Sequence, residues 1–420
     1  MSKNNTTVLI LVVDAVGVRT LEYLLGRYPG KLHLPNFSRL GLGRILAAKF
    51  RGRLGLDGKK TCAMRLEQAS ASADSVIGHR EMVGIVDPST YELFPKGFNA
   101  EFIAALEARI GRKTIFNQMA GGMEAIERNA AEHERTGCPI VYASKCDPLV
   151  QIAMNEAVIP VREQHAIADA AFALAREMNI PITRAIARAY IRTPEGEIAR
   201  TANRHDTVLP MRGKTLVDVL YSRDVWTSAV GKTSDLVNTS YHERIKLTNP
   251  AFLDPGLGWR FMHPKRKDTN PYSLQGTVNA LAAAAALYRP AGTFVFTNLV
   301  DADSLYGHTR DVAGTIRCLE GVDQALPVLE KHMRRGDVLI ITADHGMQHR
   351  RDYGYHSKEP LPLLVERIGC GAGLGGIKVG PGRSLCEVGY IAAQALDCAK
   401  DYETACGFKP AGWHSNQAAA

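Results

Sequence analysis

The sequence predicts an α/β protein built on a mostly parallel sheet, with a smaller α+β domain inserted into it. Three apolar runs carry this reading. Val8 to Val13 leads into Asp14, Thr293 to Val300 into Asp301 and Asp303, and Val338 to Thr342 into Asp344. Short continuous runs without polar alternation suit strands buried on both faces, as parallel strands are. Acidic residues just beyond their C-terminal ends mark the edge where open α/β sheets carry their sites.

Between these strands, alanine-rich Val278 to Tyr288 and the stretch Val312 to Met333 read as helices. The middle of the chain differs in character. Ala100 to Ile110 and Glu163 to Met178 are amphipathic, Ile140 to Ala143 reads as a strand, and Thr193-Pro194-Glu195-Gly196 as a hairpin turn. This segment separates the first acid-tipped strand from the others. Residues 95–210 are therefore expected to form an inserted cap (substrate) domain, with 1–94 and 211–420 forming the core. A chain of 420 residues can hold one large domain plus an inserted one.

Composition narrows the function. Hydrophobic residues at 45% and charged residues at 22% are the proportions of a globular chain, which argues against disorder. Apolar runs such as Val8 to Val13 fall far short of the roughly 20 residues needed to cross a bilayer. The N-terminal segment carries Lys3 but no apolar stretch of signal-peptide length before Asp14, so no membrane association and a cytoplasmic location are expected. The eight cysteines have no paired spacing, which favours reduced, buried thiols over disulfides or zinc–thiolate sites. A net charge of +8 favours anionic partners. Lys and Arg are dispersed and are not interleaved with aromatic platforms, so a phosphorylated small substrate is expected rather than nucleic acid.

The sharpest local signal is Ile340-Ile341-Thr342-Ala343-Asp344-His345-Gly346, with His356 further on. The second is Asp301-Ala302-Asp303-Ser304-Leu305-Tyr306-Gly307-His308, and the third is Asp14. Together they present Asp14, Asp303, Asp344, His308, His345 and His356 at strand ends or in the loops beyond. Mixed carboxylate and imidazole donors suit Mn2+ or Zn2+ better than Mg2+ or Ca2+. Two divalent ions about 4 Å apart are the usual clamp for in-line phosphoryl transfer. Their charge would exceed that of three aspartates, leaving positive charge to stabilise an alkoxide and a phosphate.

Such chemistry needs a nucleophile. Ala73-Asp74-Ser75-Val76-Ile77-Gly78-His79 offers a hydroxyl at a strand-to-helix turn, and metal coordination would activate it. Ser75 also reads as a helix N-cap, which is compatible because helix N-termini favour phosphate. Arg184, Arg188 and Arg192 recur every four residues, on one face of a helix or strand. Arg184 and Arg192 read as a solvated face.

From Val8 to about Leu396 the chain resembles the phosphopentomutase family, within the alkaline phosphatase superfamily. The resemblance rests on Asn298 to His308 with Arg310-Asp311-Val312-Ala313-Gly314, on Ile341 to Gly346, on Arg200 to Asp206, and on Gly231-Lys232-Thr233-Ser234-Asp235. The stretch Glu134 to Glu156, including Tyr142, Asp147 and Gln151, is similar too. The resemblance implies an alkaline-phosphatase-like core and two Mn2+ ions, with Zn2+ or Mg2+ as alternatives. One ion would be held by Asp14, Asp344 and His345, the other by Asp303, His308 and His356. Ser75 would take the place of the family's phosphorylated threonine. Asp147, Arg188, Arg204 and Lys232 would touch the sugar phosphate. The implied reaction interconverts ribose or deoxyribose 1-phosphate and 5-phosphate, primed by a sugar bisphosphate activator.

The chain also departs from the family pattern. Arg80 stands where the family has tryptophan, the loop after Gly346 lacks the usual Asp-Pro-Thr, Tyr355 replaces an acid, and an extra residue lies around Lys145-Cys146. No metal ligand is lost, so the chemistry is expected to be retained while the sugar stays open. A cofactor-independent phosphoglycerate mutase-like enzyme, a metal-dependent phosphatase, or a mutase for another sugar phosphate are the alternatives within the superfamily.

Overall fold

The computed structural model describes residues 5–54, 61–201, 203–257, 268–349, 354–371, 373–410 and 414–415. The chain divides into two compact units, Met1–Pro88 together with Met211–Ala420, and Ser89–Pro210.

The first unit is built on a seven-stranded sheet in the order Glu243–Ile245, Trp226–Val230, Thr293–Leu299, Thr7–Val13, Val338–Thr342, Leu361–Arg367, Cys62–Leu66. The first five strands are mutually parallel, and Leu361–Arg367 runs antiparallel to both its neighbours. Side chains alternate between the faces, as the period of a strand requires. Leu9, Leu11, Val295, Leu339 and Ile341 enter one core with the helices Val18–Arg27, Asn270–Ala286 and Val312–Lys331. Val8, Ile10, Phe294, Phe296 and Ile340 enter a second core with Leu216–Ser222 and Cys386–Ala395. Helices thus cover both faces, and this is why the strands read as unbroken apolar runs.

Register decides where the acids lie. Thr7–Val13 sits between the other two acid-tipped strands, with Val13 opposite Leu299 and Val12 opposite Thr342. All three strands therefore stop at one level, and Asp14, Asp303 and Asp344 leave the sheet at the same edge.

The second unit has its own sheet, Ile115–Met119, Ile140–Ala143, Leu149–Asn155, Arg184–Arg192, Ile198–Arg200, with His205–Val208 also paired to Arg184–Arg192. The antiparallel return from Arg184–Arg192 to Ile198–Arg200 encloses the Thr193-to-Gly196 turn. Helix Ala100–Ile110 begins on Asn99, whose side chain accepts from the Phe102 N–H, and ends at Gly111 with φ of 67°, a left-handed stop that glycine permits. Helix Gly122–Thr136 covers Ile140, Tyr142, Ala153 and Tyr190 with Ala125, Ile126 and Ala130. Among the described residues no helix is long and apolar enough to cross a membrane.

One buried histidine makes this unit sensitive to acid. His133 is fully buried, its Nδ1–H donates to the Cys138 carbonyl at 2.7 Å, and its Nε2 accepts the Asn155 N–H at 2.9 Å. Burial lowers its pKa below 6.5, aided by Arg112 and opposed by the Cys138 hydrogen bond and Glu134. With the folded pKa depressed, the unfolded chain binds the proton first. The stability this neutral ring contributes is full above about pH 6.5 and is lost as pH falls toward the folded pKa. Urea unfolding between pH 7 and 5 should show His133→Gln less stable at pH 7. Its loss per pH unit should be smaller by up to about 1.4 kcal/mol. Parallel pH slopes in the two proteins would contradict this.

Candidate metal centre and nucleophile

The sheet edge gathers two groups of three side chains. Asp14, Asp344 and His345 form one, and Asp303, His308 and His356 the other; within each, one ligand atom per residue lies within 4.8 Å of the others. In the first group His345 Nε2 is 3.3 Å from Asp14 Oδ1 and 3.6 Å from Asp344 Oδ2. In the second, Asp303 Oδ1 is 3.1 Å from His308 Nε2 and 3.2 Å from His356 Nε2. The rings of His345 and His356 stack at 3.8 Å, which sets the two groups side by side.

Local structure explains each placement. Ala302–Gly307 is a π-helical turn, and the His308 N–H reaches the Asp303 carbonyl at 3.2 Å. That geometry returns to the same side after five residues, so the five-residue spacing of Asp303 and His308 aims both at one point. His356 arrives on a hairpin of Gly346–His349 with Gly354–Ser357, opposite Met347. His308 Nδ1 donates to the Gly354 carbonyl at 2.9 Å and His345 Nδ1 to the Gly346 carbonyl at 3.0 Å. A carbonyl only accepts, so both rings present an unprotonated Nε2 when neutral, the form a cation needs.

The hairpin is tied down by Glu359, buried between Gly17 and Gly346. Its carboxylate accepts the Thr20 N–H at 2.9 Å and hydroxyl at 3.0 Å, and the Ser357 hydroxyl at 2.9 Å. A Cβ on Gly17 would lie 2.0 Å from this carboxylate and one on Gly346 2.2 Å.

Three buried carboxylates at one edge call for positive charge. Burial, then Asp344 and Asp303, push Asp14 up to about 6. Burial also opposes ionisation of Asp303 and Asp344, yet neighbouring imidazoles overcome it and hold both below the usual carboxylate range. His345 is raised well above its ordinary value by the three aspartates, against the effect of burial. Among the described residues, no donor makes a hydrogen bond to three buried oxygens, Asp14 Oδ1, Asp303 Oδ1 and Asp344 Oδ2. Oxygens of this kind facing imidazole nitrogens are a donor set that fits divalent cations.

Ser75 opens the helix Ser75–Met82. Its N-cap is Asp74, whose side chain accepts the Val76 N–H at 2.8 Å, so the reading of Ser75 as the cap is corrected. Asp74 makes the capping bond, and the Ser75 hydroxyl lies instead 3.1 Å from His345 Nε2. Close packing holds it there: a Cβ on Gly78 would lie 2.2 Å from the Asp344 carbonyl oxygen.

Asp147, Arg188 and Arg204 lie in the second unit, and Lys232 in the first, as the N-cap of Thr233–Leu236. Arg188 donates to Gln151 Oε1 at 3.1 Å, and the Tyr142 hydroxyl donates to the same oxygen at 2.9 Å. Burial, then Arg204, lowers Arg188 to about 10, with Arg200 adding to the effect. Arg204 forms a two-pronged pair with Asp206. The strand Arg184–Arg192 does put the three arginines on one face, but the solvated reading of Arg184 is wrong. Its side chain is 12% exposed and pairs with Asp147 at 3.1 Å, whereas Arg192 pairs with Glu134 nearer the surface. His79 and Asn298, buried beside the Asp14 group, fall inside the quoted stretches Ala73 to His79 and Asn298 to His308, but sequence pattern assigned neither a role. Asn298 is a polar residue inside an apolar run, whereas His79 is followed by Arg80 and Glu81 and carries no such signal.

Residues 260–398 match the Metalloenzyme superfamily. A phosphopentomutase of Carboxydothermus hydrogenoformans is 36% identical over 374 residues, 85% of this chain and 88% of that protein. A phosphopentomutase of Clostridium kluyveri is 32% identical over 424 residues, 96% of this chain and 98% of the relative. Among solved structures, Leishmania mexicana phosphoglycerate mutase is 11% identical, with a TM-score of 0.42 and 98% of each chain covered. With identity above 30% sustained across nearly the full span of both chains, this protein belongs to the phosphopentomutase family of enzymes.

Proposed function

We propose that the protein is an isomerase that moves a phosphoryl group between the 1- and 5-positions of ribose or deoxyribose, with Ser75 as the phosphoryl carrier. The observation that carries this reading is the Ser75 hydroxyl, 3.1 Å from His345 Nε2 and beside six side chains suited to two cations. Asp14, Asp344 and His345 would hold one divalent ion and Asp303, His308 and His356 the other. These ions, Mn2+ in this reading, would supply Lewis-acid stabilisation of charge on the transferring phosphoryl group.

The chain's own residues do the rest. Ser75 Oγ takes a phosphoryl group from a sugar bisphosphate, forming one P–O bond as another breaks. Phosphorylated Ser75 then passes the group to the free hydroxyl of a pentose phosphate. The bisphosphate so formed returns its other phosphoryl group to Ser75, leaving the isomer. No water is consumed, and the carrier is regenerated. Arg188, Arg204 and Asp147, all within Ser89–Pro210, are assigned to the sugar phosphate, and that unit is accordingly the substrate domain. Guanidinium groups suit phosphate oxygens, and the crowding of Arg188, Arg200 and Arg204 around Tyr142 supports an anionic ligand there. A phosphorylated sugar substrate fits a cytoplasmic enzyme.

The test is phosphorus NMR on ribose 1-phosphate and deoxyribose 1-phosphate with Mn2+ and catalytic sugar bisphosphate. Isomerisation to the 5-phosphate with little inorganic phosphate is expected. Inorganic phosphate as the main product from every sugar would make the enzyme a phosphatase.

A further inference from the structure

Two buried polar side chains have no part in the transfer just described. His79 lies one helical turn after Ser75 and is fully buried; Asn298 is the penultimate residue of Thr293–Leu299 and equally enclosed. Asn298 Nδ2 donates to Asp14 Oδ2 at 3.0 Å and lies 3.1 Å from His79 Nε2. An amide nitrogen carries only donor hydrogens, so His79 Nε2 is the acceptor and the ring proton sits on Nδ1. Nδ1 in turn lies 2.9 Å from the Ser75 carbonyl oxygen and 3.3 Å from Asp344 Oδ2. One imidazole therefore touches the backbone of Ser75, the carboxylate of Asp344 and, through one amide, that of Asp14.

On Asp14 the bridge selects which oxygen remains for a cation; on Asp344 backbone N–H groups occupy one oxygen and His79 lies beside the other. Asn298 occupies Asp14 Oδ2, leaving Oδ1, the oxygen without a donor that faces His345 Nε2 at 3.3 Å. Asp344 Oδ1 accepts the N–H groups of Ala15 at 3.2 Å and His345 at 3.1 Å, which turns Oδ2 inward. None of the bridge's hydrogen bonds involves Asp303, His308 or His356.

We propose that His79 and Asn298 are positioning residues, a hydrogen-bonded bridge that orients the Asp14 and Asp344 carboxylates for one of the two cations and registers Ser75 to it. This rests on the reading that the two groups of side chains hold divalent ions. Partners of this kind behind metal ligands typically change affinity about 10–100-fold.

The experiment is calorimetric titration of the metal-stripped full chain with Mn2+, comparing wild type, His79→Leu, His79→Gln and Asn298→Leu. The wild type should take up two ions. His79→Leu and Asn298→Leu should each weaken one of them about 10–100-fold while the other stays within about twofold. His79→Gln should recover most of the loss, because its amide oxygen can accept from Asn298 and its nitrogen can donate. If His79→Leu does not fold, Asn298→Leu removes the same bridge from the strand side and decides the question. Two ions in the wild type with both affinities unchanged in the variants, or both falling together, would overturn the bridge alone. Failure of the wild type to bind two ions would overturn the metal reading and the bridge with it.

Discussion

Ser75→Ala is expected to lower turnover about 10^4-fold or more, the scale on which removing a nucleophile from a preorganised site acts. Mn2+ content should stay at the wild-type level. The two effects separate because the hydroxyl sits beside His345 without belonging to either group of three ligands. Incubation with a sugar bisphosphate should add one phosphate to wild type, on the peptide Asp74 to Arg80, and none to Ser75→Ala. Ser75→Thr keeps a hydroxyl at the first helical position and should retain part of both label and rate. The other hydroxyls of this loop are Ser70 and Ser72. Ser70 is buried and its oxygen already accepts the Asp87 N–H at 3.1 Å. Phosphate mapped to Ser70 or Ser72, or full turnover by Ser75→Ala, would remove Ser75 from the mechanism.

The parts of this fold legible in the sequence were those governed by short-range pattern. Val8 to Val13, Thr293 to Val300 and Val338 to Thr342 announce buried strands because both faces are covered, and their acidic ends announce an edge. Pairing order is a long-range property and was not legible. Nothing in the runs themselves says that Thr7–Val13 lies between the other two, or that Leu361–Arg367 enters antiparallel. The π-turn at Ala302–Gly307 leaves only a five-residue spacing as its trace. Ser75 read as the helix cap from sequence, and only the bond from the Val76 N–H to Asp74 shows that Asp74 caps while the Ser75 hydroxyl faces His345. His79 and Asn298 were hidden for a different reason. Their meaning depends on partners up to 284 positions away, such as Asp14 for Asn298. Arg184 was misread because periodicity reports a shared face and not what covers it; Asp147 covers it.

Asp303→Asn is expected to cost about 4 kcal/mol of transition-state stabilisation, about a thousandfold in kcat/KM. Asp303 Oδ1 is the point on which His308 and His356 converge, at 3.1 and 3.2 Å. An asparagine there removes the negative charge, and one of its two terminal groups would present hydrogens where a cation needs lone pairs. Elemental analysis of the purified variant should therefore find close to one divalent ion where wild type holds two. Chelation of wild type should abolish turnover and added Mn2+ restore it, whereas Mn2+ should restore little to Asp303→Asn. Thermal melting supplies a readout independent of activity. A ligand bound only by the folded state adds about 2.7 kcal/mol at a hundredfold excess over Kd, so Mn2+ should raise the wild-type Tm more than the variant's. The variant also loses the pairing of Asp303 Oδ1 with His308 and His356, so each protein's Mn2+-induced shift is read against its own metal-free Tm. Equal metal content and equal Mn2+-induced stabilisation in the two proteins would show that Asp303 holds no ion. Undiminished turnover by chelated wild type would go further and remove metal from the mechanism altogether.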